Sequence, residues 1–245
     1  APEKDRSILV IVQLAGGNDG LNTLIPCEDA DYYRLRPTIG IPKDKVLATG
    51  DTSGLHPAMT GLHQLYGEGK LAIVQNVGYP NPNRSHFRST EIWETASASD
   101  EFAATGWVGR FLDNACEGMP ADSHDPMAVH ITNGVPQSFQ GSRPHPTFGL
   151  VPGSGSRRDN EETRRLLETM LSRPPAAAAE GNDTAGFLKQ TFMDTLVTEK
   201  KVQRVLAEYR PGAAYPGSPF AASLRNVAAL IAARMPTRVY FVSLG

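Results

Sequence analysis

Two short stretches of this chain carry side chains whose types and spacing could do chemistry. In "LAGGNDGLNT", residues 14–23, Asp19 is the only charged group, and Asn18 and Asn22 flank it. A carboxylate with neighbouring amide oxygens is a hard donor set suited to a divalent cation such as zinc, manganese, calcium or magnesium. In "NRSHF", residues 83–87, Ser85 is a good N-cap residue at the start of a helical pattern, where exposed amide hydrogens and the positive end of the helix dipole favour an anion. Arg84 adds a forked cation matched to phosphate or sulfate oxygens. Serine is a poor nucleophile until a base or a metal removes its proton, so a metal-bound Asp19 beside Ser85 makes a coherent pair. Each stretch also has a plainer reading: a tight turn closed by an Asx hydrogen bond around Asp19, and a simple helix cap at Ser85. His86 has three: base, oxyanion or ligand contact, or capping residue, although adjacent side chains at a helix start point in different directions.

Positioning these groups requires a rigid support. The run Ile8–Val12 is short and uniformly apolar, which predicts a buried central strand delivering Asp19 just past its carboxyl end, where open α/β sheets bind ligands. A second such run, Leu71–Val77, follows a helical stretch over His56–Tyr66 with Pro57 in its first turn. Strand, connection, helix, strand is the signature of a mostly parallel sheet. A helix is predicted from Ser85 or His86 to Thr95, a short amphipathic helix over Gly106–Cys116, a strand at Ala128–Thr132 and an extended piece at Thr147–Val151. Helices follow over Asn160–Ser172, Thr184–Arg210 and Ser218–Ala233, so that 160–235 is a mainly helical portion. The run "TRVYFVSLG", Thr237–Gly245, is apolar on both alternating faces and predicts an interior strand paired in parallel with one of the first two. The expectation is one α/β domain, a mostly parallel sheet with helices on both faces. Because a parallel strand normally feeds a functional loop, the chain reads as the first part of a longer polypeptide; the alternative is a fold that ends on its last strand.

Composition narrows the function. With 24 basic and 26 acidic residues among 245, a net charge of −2 and no basic block, nucleic acid is not the expected partner. No apolar stretch approaches the roughly 20 residues of a membrane span. The start at Ala1-Pro2 fits either a trimmed chain or a mature protein whose signal peptide is gone. Cys27 and Cys116 either pair in an oxidising compartment or remain as buried thiols. "AGGNDG" lacks the Gly-Lys-Ser/Thr of a phosphate-binding P-loop and is not a dinucleotide fingerprint. His56 and His63 are seven residues apart but have no third ligand nearby, and His124, His130 and His145 show no zinc spacing. Trp93 and Trp107 read as packing residues.

Several motifs together carry a resemblance. "LAGGNDGLNTLIP", "DADYYRLRPTIGIP", "LHPAMTGLHQLYGEGKLAIVQNVGYPNPNRSHF", and "WET" with the later "GWVGRFLD" occur in an order that resembles a bacterial family designated domain of unknown function 1501. That family is similar in fold to the alkaline phosphatase and sulfatase superfamily. The likeness runs through the first half and, more thinly, to the final strand. It implies that Asp19 is the first metal-binding aspartate and that Ser85 is the nucleophilic or metal-bridging hydroxyl, with Arg84 and His86 in reach of an oxyanion. The further ligands of such a two-metal site, an aspartate and histidine after a strand like "VYFVSLG" and a later aspartate-histidine pair with one more histidine, are not encoded through Gly245.

Two functions therefore stand as expectations. One is an exported, periplasmic or extracellular, metal-dependent hydrolase-like protein that cleaves phosphate or sulfate esters of a small molecule or glycan, with a metal site incomplete in this chain. The other is a non-catalytic anion- or glycan-binding or scaffolding protein on the same alkaline phosphatase-like fold.

Overall fold

A computed structural model describes residues 7–15, 17–50, 52–115, 125–143, 145–152 and 197–245. Gly16, Cys116, His124, the predicted helix at Asn160–Ser172 and the first part of that at Thr184–Arg210 lie outside them. The chain divides into two compact units, one comprising Ala1–Gln13 with Pro80–Leu244 and the other Leu14–Tyr79.

The first unit is built on a four-strand parallel sheet. Its strands are β1 (Leu9–Leu14), β5 (Ala128–Ile131), β6 (Thr147–Leu150) and β7 (Val239–Leu244), in the order β1-β7-β5-β6. β5 pairs in parallel with β6 on one side and with β7 on the other, Val129 standing opposite Phe148 and Tyr240. The alternation of β7 explains its interior place. Tyr240 and Val242 enter a cluster with Val129, Ile131, Val202, Val227 and Leu230, whereas Val239 and Phe241 enter another with Ala128, Val108, Leu112 and Phe139. Helices cover both faces accordingly. The first cluster is supplied by α6 (197–208) and α7 (Pro219–Ala232), the second by α5 (Trp107–Ala115). Thr237 leads into β7 with its hydroxyl donated to the Pro126 carbonyl, 2.8 Å away.

α7 begins where the sequence signals it. Ser218 accepts the Ala221 amide at 3.1 Å and Pro219 occupies the first turn, its missing N–H costing nothing there. α4 (His86–Thr95) likewise starts one residue after Ser85.

Two predicted strands depart from expectation. β1 is not central: it closes one end of the strand order, and Leu9, Val10, Val12 and Leu14 are 38–48 % exposed. Only one row of its side chains faces inward, Ile11 against the second cluster and Gln13 beside it. An edge strand has one neighbour and so shields fewer of its side chains, which uniform apolarity could not reveal. Leu71–Val77 forms no strand; Val74 is 77 % exposed, and Asn76 takes a left-handed turn, φ 57°, that breaks the extended run.

The second unit contains α1 (Gly20–Thr23), α2 (Ala30–Leu35), α3 (Thr60–Gly67) and a small antiparallel sheet. Its strands β2 (Leu24–Ile25), β3 (Leu47–Ala48) and β4 (Gly54–Leu55) run in the order β2-β4-β3. Gly54 is required, since a Cβ there would lie 2.5 Å from the Leu47 carbonyl oxygen. Ile25, Cys27 and Tyr32 form the core with Ile41 and Val46 around them. Cys27 is buried and has no disulfide partner among the described residues, and its suggested partner Cys116 falls outside them. Pro57 sits in the turn before α3, so that helix begins later than His56.

Candidate functional site

Asp19 stands immediately before α1 in the second unit. Its carboxylate is held by Arg36, whose Nη1 lies 2.7 Å from Oδ2. That guanidinium bond, aided by the Asn22 and Leu21 amides, keeps the Asp19 carboxyl below the usual carboxylate range, and the same bond pushes Arg36 upward.

Asn18 and Asn22 are both committed to holding the loop. Asn18 Oδ1 accepts the Thr23 hydroxyl at 2.7 Å. Asn22 Oδ1 accepts the Tyr32 hydroxyl at 2.7 Å, while its Nδ2 donates to the Ile39 carbonyl at 2.9 Å. Tyr32 in turn accepts the Ile41 amide at 2.8 Å. The predicted metal trio therefore offers one carboxylate, already ion-paired, and two amide oxygens in use. Among the described residues no group of three or more His, Cys, Asp or Glu gathers that could hold a metal ion. This donor set by itself does not fit a closed or catalytic centre, which takes at least three protein ligands.

Arg84, Ser85 and His86 follow one another at the start of α4, in the first unit, and all three are exposed. The Ser85 amide donates to Asn83 Oδ1 at 2.8 Å, an Asx turn that fixes the entry into the helix. Ser85 has the extended N-cap backbone, φ −73° and ψ 123°, yet its side chain makes no capping bond. The helix start thus keeps unpaired first-turn amides, an open hydroxyl and a neighbouring guanidinium, a combination that attracts an anion.

The far end of α4 is fastened to the sheet unit through Glu94. Its carboxylate accepts the Ser138 amide at 3.1 Å and the Gln13 side-chain amide of β1 at 3.4 Å. Ser138 lies in a 3-10 turn, Gln137–Phe139, that is pressed against α5 at glycines. A Cβ at Gly106 would come within 2.3 Å of the Ser138 backbone. Arg88 secures the flank of α4: it pairs with Glu91 at 2.8 Å, donates to the Ser99 and Glu101 carbonyls, and lies 4.0 Å over the Phe102 ring. Arg36 and Glu94 were not singled out in the sequence. Both sit inside the motif-bearing runs "RLRPTIGIP" and "WET", but only the structure pairs them, Arg36 across 17 positions and Glu94 across 44.

The remaining histidines among the described residues have structural partners. His130, on β5, is buried, which lowers its proton affinity. Its Nδ1 lies 2.8 Å from Thr132 Oγ1, and because that hydroxyl donates to the Gly134 carbonyl, the imidazole is the donor between them. His145 Nε2 lies 3.0 Å from Asp113, whose carboxylate also takes the Ser142 amide and hydroxyl, each at 2.9 Å. His63 bonds the Ala48 carbonyl.

The chain is of the α/β class. No family model matches it, and neither curated proteins nor solved structures gave a match. Among the described residues no helix is long and apolar enough to cross a membrane.

Proposed function

We propose that this chain belongs to an exported, hydrolase-like protein of the alkaline phosphatase and sulfatase type, acting on a phosphate or sulfate ester of a small molecule or glycan. The observation that carries this reading is the open N-terminus of α4, where Ser85 is exposed with no capping bond and is flanked by exposed Arg84 and His86. In this reading the ester's anionic oxygens meet the first-turn amides and the Arg84 guanidinium, and the Ser85 hydroxyl faces the phosphorus or sulfur. The Asx turn at Asn83 and the Glu94 anchorage hold the helix start still, which limits the entropy lost on binding. A divalent ion is part of the proposal with Asp19 as a ligand, but it requires donors beyond Asn18 and Asn22. The test is a screen of aryl phosphate and aryl sulfate esters with zinc, manganese, calcium and magnesium, using the longest natural form of the protein and its Ser85→Ala variant. Turnover that falls by roughly a hundredfold or more in the variant supports the reading; turnover unaffected by the substitution removes Ser85 from it.

A second reading, a non-catalytic anion- or glycan-binding protein, is favoured by one observation: Asp19 is neutralised by Arg36. Binding of inorganic phosphate or sulfate that depends on Ser85 and Arg84, with no ester turnover under any metal, would select it.

A further inference from the structure

Asn133 and Gly134 form the sole Asn-Gly step in the sequence, and the fold places it just beyond the carboxyl end of β5. The segment is pinned before this step, where the Thr132 amide donates to the Leu150 carbonyl at 3.1 Å. It is pinned again after it, where the Phe139 amide donates to the Pro136 carbonyl at 3.0 Å. Between these pins the chain bends through Asn133 and Gly134, both exposed. Neither the Asn133 carboxamide nor the Gly134 amide has a hydrogen-bond partner among the described residues. A Cβ at Gly134 would meet nothing within 4 Å, so no neighbour hinders rotation there. Asn22 is the opposite case: both ends of its carboxamide are bonded, and the following Thr23 amide is tied to the Asp19 carbonyl at 2.9 Å.

A main-chain nitrogen reaches the side-chain carbonyl carbon of the preceding asparagine only where the backbone between them turns freely, and glycine, lacking a Cβ, permits this best. Asparagine is among the thermally labile residues for this reason. We propose that Asn133 is a self-modifying site, converted in the folded protein to aspartate and isoaspartate with water as the co-reactant. The Gly134 nitrogen loses its proton to solvent and bonds to Asn133 Cγ, the Cγ–Nδ2 bond breaks, and Nδ2 leaves as ammonia. Water then opens the cyclic imide. Opening at Cγ restores the ordinary peptide link as aspartate; opening at the main-chain carbonyl leaves the chain running through Cγ as isoaspartate. Neither step involves Ser85 or Asp19. The change is felt at a buried group. The Gly134 carbonyl accepts the Thr132 hydroxyl at 2.5 Å, and that hydroxyl oxygen accepts the Nδ1 proton of His130 at 2.8 Å. Isoaspartate inserts a methylene into the main chain between positions 133 and 134, which draws the Gly134 carbonyl away from Thr132 and loosens the hold on the imidazole.

The experiment incubates the full chain at mildly alkaline pH, folded and, in parallel, unfolded in urea. Position 133 is followed by peptide-mapping mass spectrometry and by isoaspartate-specific enzymatic methylation. The folded chain should accumulate the acid at position 133 in both linkages, while Asn22 keeps its amide. Gly134→Ala, for which the structure has room, should lose most of this conversion over the same period. In a histidine-labelled sample the His130 ring signals should divide into an original and a new set as the acid accumulates. An Asn133 amide that survives in the folded chain after the unfolded chain has converted would overturn the proposal, as would equal conversion at Asn22 or in Gly134→Ala. His130 signals unchanged in the converted protein would overturn the link through Thr132.

Discussion

Gly109 is the third residue of α5, where helix propensity alone says that alanine should stabilise the protein by up to about 1 kcal/mol. Packing reverses the sign. A Cβ at Gly109 would lie 2.1 Å from the Gln140 carbonyl oxygen, 2.3 Å from its carbonyl carbon and 2.6 Å from the Gly141 nitrogen. Non-bonded carbon contacts settle near about 3.5–4 Å, so helix and turn must part by more than about 1 Å. All three obstacles are main chain, and no rotamer change relieves them. Overpacking of this kind sits at the upper end of its usual range, about 3 kcal/mol. Subtracting the propensity gain leaves a net loss of about 2 kcal/mol for Gly109→Ala. In a chain of this size that lowers Tm by about 4–8 °C. The control is Gly61→Ala in α3, where no atom lies within 4 Å of the added methyl. There the substitution should raise stability by about 0.4–1 kcal/mol. Thermal and urea unfolding followed by circular dichroism measure both. A Gly109→Ala protein as stable as wild type would refute the close approach of α5 to the Gln140 turn, and with it the support of the Ser138 amide that Glu94 uses.

Two further outcomes concern pH. Asp113 is held below the usual carboxylate range chiefly by the Ser142 amide, so its contribution is fully present above its unfolded value of about 3.9 and is lost as pH falls through the lower native value. Urea midpoints of wild type and Asp113→Asn should converge over that acid window; a gap independent of pH would show that the carboxylate charge is not what holds the Ser142–His145 loop. His130 is held below the ordinary histidine value by burial, so the unfolded chain binds the proton first and stability declines as pH drops below about 6.5 toward the native value. An NMR titration of the His130 ring should have its midpoint below that of an exposed histidine, and a midpoint at or above it would contradict the buried environment.

The sequence by itself determined the elements whose signals are local. The amphipathic period of Trp107–Ala115, the Ser218-Pro219 start of α7 and the two apolar faces of Val239–Leu244 each specify a conformation within a few residues. For β7 the pattern even specified an interior position, because a strand apolar on both faces must be covered on both. The helix start after Ser85 was legible in "NRSHF" for the same reason, whereas the Asx turn at Asn83 and the Ser85 hydroxyl left out of the cap were decided by the structure.

Tertiary structure decided what depends on neighbours distant in the chain. Ile8–Val12 and Leu71–Val77 share the apolarity of a buried strand. The first became an edge strand because β7 inserted beside it on one side only, and the second was broken by the left-handed turn at Asn76. Asp19 carries the chemistry of a metal ligand in sequence, but a turn fixed by Tyr32, Asn22 and Gly40 brings Arg36 to it and replaces an open carboxylate with an ion pair. Periodicity records which face of an element is apolar; it does not record which charge will be brought against a given side chain. That depends on how the whole chain folds back, and at Asp19 it set the partner.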